Sequence, residues 1–403
     1  MIPLESRELN SDAMQKHRVF IAGICSLLLT AGLARFAYTP LLPIMHDEAG
    51  LTYLASGWLA TFNYMGYMTG ALLASSISQL KVKYRLYHIG LVVAVCSTAA
   101  MGLTDNVVIW ALLRYVAGLT TTCGMLIASG LIMNWLIRNH YKPLLGLHFT
   151  GLGLGIVVSG IAVGSMVGHL RWDQQWLALG LLGIVFFIPA WMWMPAPADI
   201  RTDAAHPPQK PPSGKWMNLL IASYFCAGFG YVISATFIVA ILEKLPVLAG
   251  RGSWIWVVVG LAATPSAFLW DRIATRTGQI PALLLAYGLQ VISVALPVMT
   301  DSIGLNVLSA ILYGTTFVGI VSLTLSLTGR HFPNNPAKAM ARLTLSYGVA
   351  QMIAPVMAGY IANATGSYHG ALVITAVVLI GGMGFLIMLH RLESKAAQDK
   401  HID

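Results

Sequence analysis

Twelve long apolar stretches, separated by short polar ones, make up most of the 403-residue chain. They fall at 20–42, 54–78, 86–104, 107–135, 143–168, 174–194, 216–243, 253–271, 280–300, 305–328, 338–361 and 370–389. About 20 apolar residues at 1.5 Å rise cross the ~30 Å hydrocarbon core of a bilayer. Backbone groups in lipid must be bonded within their own segment, so each stretch predicts a membrane-spanning α-helix. The pattern breaks at 195–215, where proline and polar residues replace the apolar run and predict a flexible linker. The expected architecture is an all-α membrane protein with six helices in residues 1–194 and six in residues 216–403.

Composition supports this reading. The chain is 57% hydrophobic and 10% charged, against about 25% charged in ordinary soluble domains. Its net charge of +9 is distributed by loop. With both termini in the cytoplasm, nineteen of the 24 Lys and Arg residues face inward, Arg171, Lys244 and Arg251 face outward, and Arg35 and Arg114 remain inside spans. Such a bias orients membrane helices, so the positive charge needs no nucleic-acid partner to explain it. The first 18 residues are polar and lack a cleavable signal pattern, which leaves the first span as the insertion signal. Cys25, Cys96, Cys123 and Cys226 lie in apolar spans without metal spacing and read as free thiols.

The two halves repeat weakly at an offset of 196. Ala31-Gly32 matches Ala227-Gly228, and Gly118 matches Gly314. The same shift sets Arg35 against Tyr231 and His148 against Thr344. Parallel repeats of this kind are a transporter plan, with substrate held between the halves near the midplane.

Trp270-Asp271-Arg272-Ile273-Ala274-Thr275-Arg276-Thr277-Gly278 resembles the D-R-x-x-x-R-x-G cytoplasmic signature of the major facilitator superfamily. Arg114-x-x-x-Gly118 is similar to that superfamily's R-x-x-x-G. Arg35–Met45, Asn63–Leu73 and Gly228–Ala240 further resemble its bacterial YbfB/YjiJ branch. The resemblance implies two six-helix bundles rocking about a central cavity lined by spans 1, 4, 7 and 10. It also implies a multi-pass protein of the bacterial inner membrane, working as a monomer without a cofactor. Asp271, Arg272, Arg276 and Gly278 would form a conformational latch. The equivalent first-half loop, Ser75 to Arg85, keeps the basic residues but lacks the acid.

Arg35 is the residue that points to a substrate. It lies about fifteen residues into span 1, roughly 22 Å deep, and Arg114 lies at a similar level in span 4. An arginine at membrane depth costs roughly 2.5–3.5 kcal/mol on insertion scales, so it faces a cavity or a partner. No Asp or Glu lies deep in any span. Two planar guanidinium forks without a counter-charge suit a carboxylate or phosphate. R-x-x-x-G occurs in carriers of unrelated substrates, so Arg114 also admits a structural or proton-linked reading. Tyr38, Asn63, Tyr64, Tyr67, Tyr224, Tyr231 and Gln351 could orient the anion, or could bond helix to helix. Asn63 and Tyr67 share a helix face. His148 could bind a proton in transport or serve as a packing donor.

The leading reading is a proton-linked or exchange carrier of a small organic anion. The alternatives are an exporter of neutral or hydrophobic compounds such as sugars or drugs, and a membrane sensor that moves nothing. No nucleophile–base pair, metal cluster or phosphate loop suggests an enzyme.

Overall fold

The computed structural model describes residues 4–142, 145–198, 212–332 and 336–399. Most of the expected linker, 199–211, lies outside the described residues, and Arg201 and Lys210 with it. The described residues form twelve helical rods. In the first half, α1 runs through Leu4–Leu27, a π-helical segment Leu28–Phe36 and Tyr38–Ala49. It is followed by α2 (Tyr53–Ser76) and α3 (Leu80–Ala100). Next, α4 joins Val107–Thr122, a second π-helical segment Cys123–Ile127 and Ala128–Arg138. Helices α5 (Gly146–Met166) and α6 (Trp172–Trp193) complete the half. The second half contains α7 (Gly214–Leu242), α8 (Gly252–Ala263 and Ser266–Thr277), α9 (Gln279–Met299), α10 (Ile303–His331), α11 (Pro336–Thr365) and α12 (His369–Asp399).

Ten of these rods are long and apolar enough to cross a bilayer on their own. The two pieces of α8 qualify together and bend by 43° at Thr264-Pro265, where proline withholds a backbone donor from the helix ladder. The remaining rod, α2, is 24 residues long, but Ser56, Thr61 and Asn63 make its buried face polar. Large apolar side chains such as Leu72, Leu181, Val185, Met299 and Val377 are exposed, as suits a surface whose solvent is lipid.

Helix pairing repeats between the halves. Within the first, α1 packs on α5 and α6, α2 on α4, and α3 on α4 and α6. Within the second, α7 packs on α11 and α12, α8 on α10, and α9 on α10 and α12. Each pairing recurs six helices later. The offset of 196 reappears in atomic contacts. Gly118 of α4 presses on the Asn63 carbonyl of α2, and Gly314 of α10 presses on the Val259 carbonyl of α8. Only glycine lets two backbones approach so closely. The glycines of α5 serve the same purpose: Gly155 lies against Gly32, where a Cβ would come within 2.9 Å of the Gly32 Cα.

The halves meet along α2 with α11, α5 with α8, and the end of α1 with α7. Hydrogen bonds between them gather in the part of the molecule remote from the linker. Thr39 donates to the Ala235 carbonyl, Thr61 to the Met352 carbonyl at 2.8 Å, and Trp256 to Ser159 at 3.2 Å. Ser56 and Tyr368 hydroxyls lie 3.3 Å apart. This far side is therefore closed.

Candidate substrate-binding site

The site begins with the π-helical turn in α1. Ala37 N–H bonds back to the Gly32 carbonyl at 3.0 Å, a five-residue reach in place of the usual four. Pro40 withholds a further donor just beyond. Carbonyls released from the α1 ladder are taken up by α4. Arg114 donates through Nη1 to Ala34 O at 2.9 Å and through Nη2 to Arg35 O at 3.2 Å. Thr121, two turns along the same face of α4, donates to Thr30 O at 3.0 Å. Asn63 of α2 in turn donates to the Arg114 carbonyl at 2.9 Å. Arg114 is 3% exposed, and its Cζ lies 4.5 Å from the centre of the Tyr38 ring. Tyr38 itself donates to the Ser56 carbonyl at 3.0 Å. Both thus have partners in the protein, although the Nε of Arg114 has none.

Arg35 is arranged differently. It is 6% exposed and projects from α1 toward α2 and α7. Its Cζ lies 4.6 Å from the centre of the Tyr64 ring, 5.2 Å from Tyr67 and 5.5 Å from Phe36. Nη2 reaches the Tyr231 hydroxyl at 3.4 Å, and Nε has no partner. Arg35 and Tyr231 are the repeat equivalents, so the first half's cation faces its counterpart across the pseudo-symmetry axis. Aromatic faces offset part of the cost of burying the guanidinium, while the Nε–Nη2 edge keeps its capacity to grip an anion side-on.

Among the described residues no acid pairs with Arg35. Arg171 pairs with Asp173 at 3.2 Å and His331 with Glu393 at 3.3 Å, and neither pair involves Arg35. No group of three or more acidic, histidine or cysteine side chains able to hold a metal occurs among the described residues. The four cysteines are free.

The expected site residues thus separate. Arg35, Tyr67 and Tyr231 come together, joined by Tyr64. Arg114, Tyr38 and Asn63 form an adjoining brace. Gln351 is buried on α11 with its Oε1 unpartnered, as is the Oδ1 of Asn63. His148 lies elsewhere: it is fully buried against Gly23 of α1 and beside Phe149, roughly 18 Å along α1 from Arg35. Asp271, Arg272 and Arg276 are exposed on α8. The stretch is helical through Thr277 rather than a loop, and none of the three has an ion pair among the described residues. Gly278 turns the chain into α9 at φ 90°, a conformation that favours glycine.

Several aromatic residues of the site carried no obvious signal in the sequence. Tyr347 of α11 stacks with Tyr231 and tilts against Tyr224, with centroids at 5.9 and 4.6 Å. Phe317 of α10 tilts against Tyr231 and stacks on Tyr313. The i, i+4 spacing of Tyr313 and Phe317 places them on one face, but not toward any particular neighbour.

Residues 27–389 match the family model described as "Uncharacterised MFS-type transporter YbfB". The chain belongs to this family of the major facilitator superfamily. The MFS-type transporter YceJ of Bacillus subtilis is 21% identical over 264 residues, covering 64% of this chain and 67% of YceJ. Solved MFS transporters share the fold at low identity. A mutant of the nucleoside transporter NupG superposes with a TM-score of 0.77 at 13% identity, covering 93% of this chain and 99% of NupG. A bacterial homologue of the human lysosomal transporter Spinster, inward-facing and unoccupied, gives 0.70 at 15% identity, covering 94% and 97%. The human organic anion transporter MFSD10 gives 0.64 at 14% identity, covering 92% and 99%. The protein is accordingly a multi-pass membrane transporter and not an enzyme.

Proposed function

We propose that this MFS transporter carries a small organic anion by alternating access, with Arg35 as the group that holds the anion. The observation that carries the proposal is the buried Arg35 edge: Nε is unpartnered, Nη2 makes one long contact, and no carboxylate pairs with it among the described residues. A substrate carboxylate would supply both the missing charge and a bidentate partner. The proposed role of Arg114 is structural, because its Nη1 and Nη2 are committed to α1 carbonyls. The Tyr64, Tyr67 and Tyr231 hydroxyls would orient the anion, and Gln351 would contact it from α11.

The linker side is taken as cytoplasmic from the distribution of Lys and Arg, in the inner membrane of a bacterium. The closed far side then faces outward, and rocking of the two halves would open it. Inward movement of an anion against a negative interior requires proton coupling or exchange. His148 is retained as a proton-site proposal, acting through the packing of α1 against α5. Its fold neighbours include a nucleoside transporter and an organic anion transporter.

The test is uptake of a panel of labelled monocarboxylates and phosphate esters into proteoliposomes. Wild-type uptake of at least one anion should fall to background in Arg35→Ala and recover in part in Arg35→Lys. Undiminished uptake by Arg35→Ala rejects the role.

A further inference from the structure

We infer that the anion is an aromatic carboxylate, with its ring seated against the Tyr231–Tyr347 wall. This rests on the reading of Arg35 as the anion-holding group and adds the substrate's class.

The guanidinium fixes the direction of approach. Tyr64 and Tyr67 lie 4.6 and 5.2 Å from its centre and occupy its surroundings, so an anion meets it in plane, along the open Nε–Nη2 edge. That edge points to the Tyr231 hydroxyl, 3.4 Å from Nη2. A carboxylate gripped there has the Tyr231 ring as its immediate neighbour.

What surrounds that ring is a set of stacked and tilted aromatic rings from three helices. Tyr231 of α7 stacks with Tyr347 of α11 at 5.9 Å and 29°. Tyr347 continues to Tyr224 at 4.6 Å and 34°. Tyr231 also meets Phe317 of α10 at 5.3 Å and 37°, and Phe317 stacks on Tyr313 at 5.2 Å and 21°. Aromatic rings grouped in this way complement one more planar ring. A short aliphatic acid would satisfy the guanidinium and make no ring contact. A sugar or nucleoside without a negative group would leave the cation uncompensated.

The wall is built to move. Tyr347 and Phe317 reach Tyr231 from different helices of the same half, whereas Tyr64 reaches it from the other half, edge-on at 6.4 Å and 86°. When the halves rock, the stack travels with the second half and the cation with the first. An aromatic acid touches both and so couples its own binding to their separation.

The test uses the full-length purified transporter in detergent. Ligand-dependent thermal shifts are measured with benzoate, 2-naphthoate, cyclohexanecarboxylate, butyrate and benzamide. Benzoate or 2-naphthoate should act at about tenfold lower concentration than cyclohexanecarboxylate, the span of one aromatic contact, and benzamide should have no effect. Tyr347→Leu should erase the preference while keeping the response to carboxylates. Tyr347→Phe, the packing control, should preserve it. Equal or better binding of cyclohexanecarboxylate or butyrate overturns the aromatic inference and leaves the anion reading standing. A benzamide response equal to that of benzoate overturns both. Silence toward both aromatic acids, or an unchanged preference in Tyr347→Leu, also overturns the inference.

Discussion

Arg114→Ala is expected to loosen the first half of the transporter rather than blunt its response to anions. The substitution removes two donors, at 2.9 and 3.2 Å, from the Ala34 and Arg35 carbonyls. Buried hydrogen bonds from charged donors contribute about 1.5–3 kcal/mol each, whereas side-chain bonds between membrane helices average only ~0.6 kcal/mol. Two bonds therefore bracket roughly 1–6 kcal/mol. The acceptors decide where in that range the loss falls. They are carbonyls at the end of a π-helical turn, and lipid offers them no replacement donor. A loss of about 3–4 kcal/mol follows, and Arg114→Lys, with one compact donor group, should recover about half. Arg35→Ala removes one long contact and a set of ring faces worth about 0.5–2 kcal/mol each, but it also relieves the burial of a charge. Its net effect should stay within about 1 kcal/mol. Thermal unfolding of the purified protein, followed by tryptophan fluorescence with and without an anionic ligand, separates the two. Arg114→Ala should melt several degrees lower and keep a ligand-induced shift, while Arg35→Ala should melt near wild type and lose it. The reasoning fails if Arg114→Ala melts like wild type and ignores the ligand, or if Arg35→Ala falls as far as Arg114→Ala.

Gly57→Ala should open the far side, because a Cβ there would collide with the Pro355 carbonyl of α11. A cysteine placed at Thr61 in a cysteine-free background should then react faster with a membrane-impermeant thiol reagent from that side, and an unchanged rate would count against the seam. Burial, aided by the Asp47 charge, raises the Glu243 carboxyl from 4.5 to about 7, against opposing bonds from Gly250 and Gly252. A carboxyl that holds its proton more tightly in the folded state contributes stability below its ordinary range and loses it as pH rises through about 7. Melting temperature should therefore decline from about pH 4.5 to 7 and flatten over that range in Glu243→Gln; a slope that persists in the variant would assign it to another group.

Much of this molecule could be read from its sequence because a bilayer imposes a simple constraint. Backbone polarity must be satisfied within each crossing segment, so length and apolarity alone mark the helices. The helix order and the offset of 196 followed from the residues, and the offset recurs in the paired contacts of Gly118 and Gly314. Arg35 stood out for the same reason, since a charge at that depth requires an explanation. Side-chain partners were not readable in this way. Arg35 and Arg114 were both anion candidates, Arg114 with a structural alternative, and only the structure shows the Nη1 and Nη2 of Arg114 turned to the α1 backbone while Arg35 keeps an open edge. His148 admitted a proton role or a packing role, and its helix face points into the first half's own packing. The Asp271 stretch looked like a loop, although α8 simply continues through it. Tyr347 and Phe317 carried no distinguishing pattern, because aromatic residues are common throughout apolar spans. Hydrophobic periodicity reports which face avoids lipid, whereas the identity of the neighbour across that face depends on how the helices cross, and crossing is set by contacts between residues far apart in the chain.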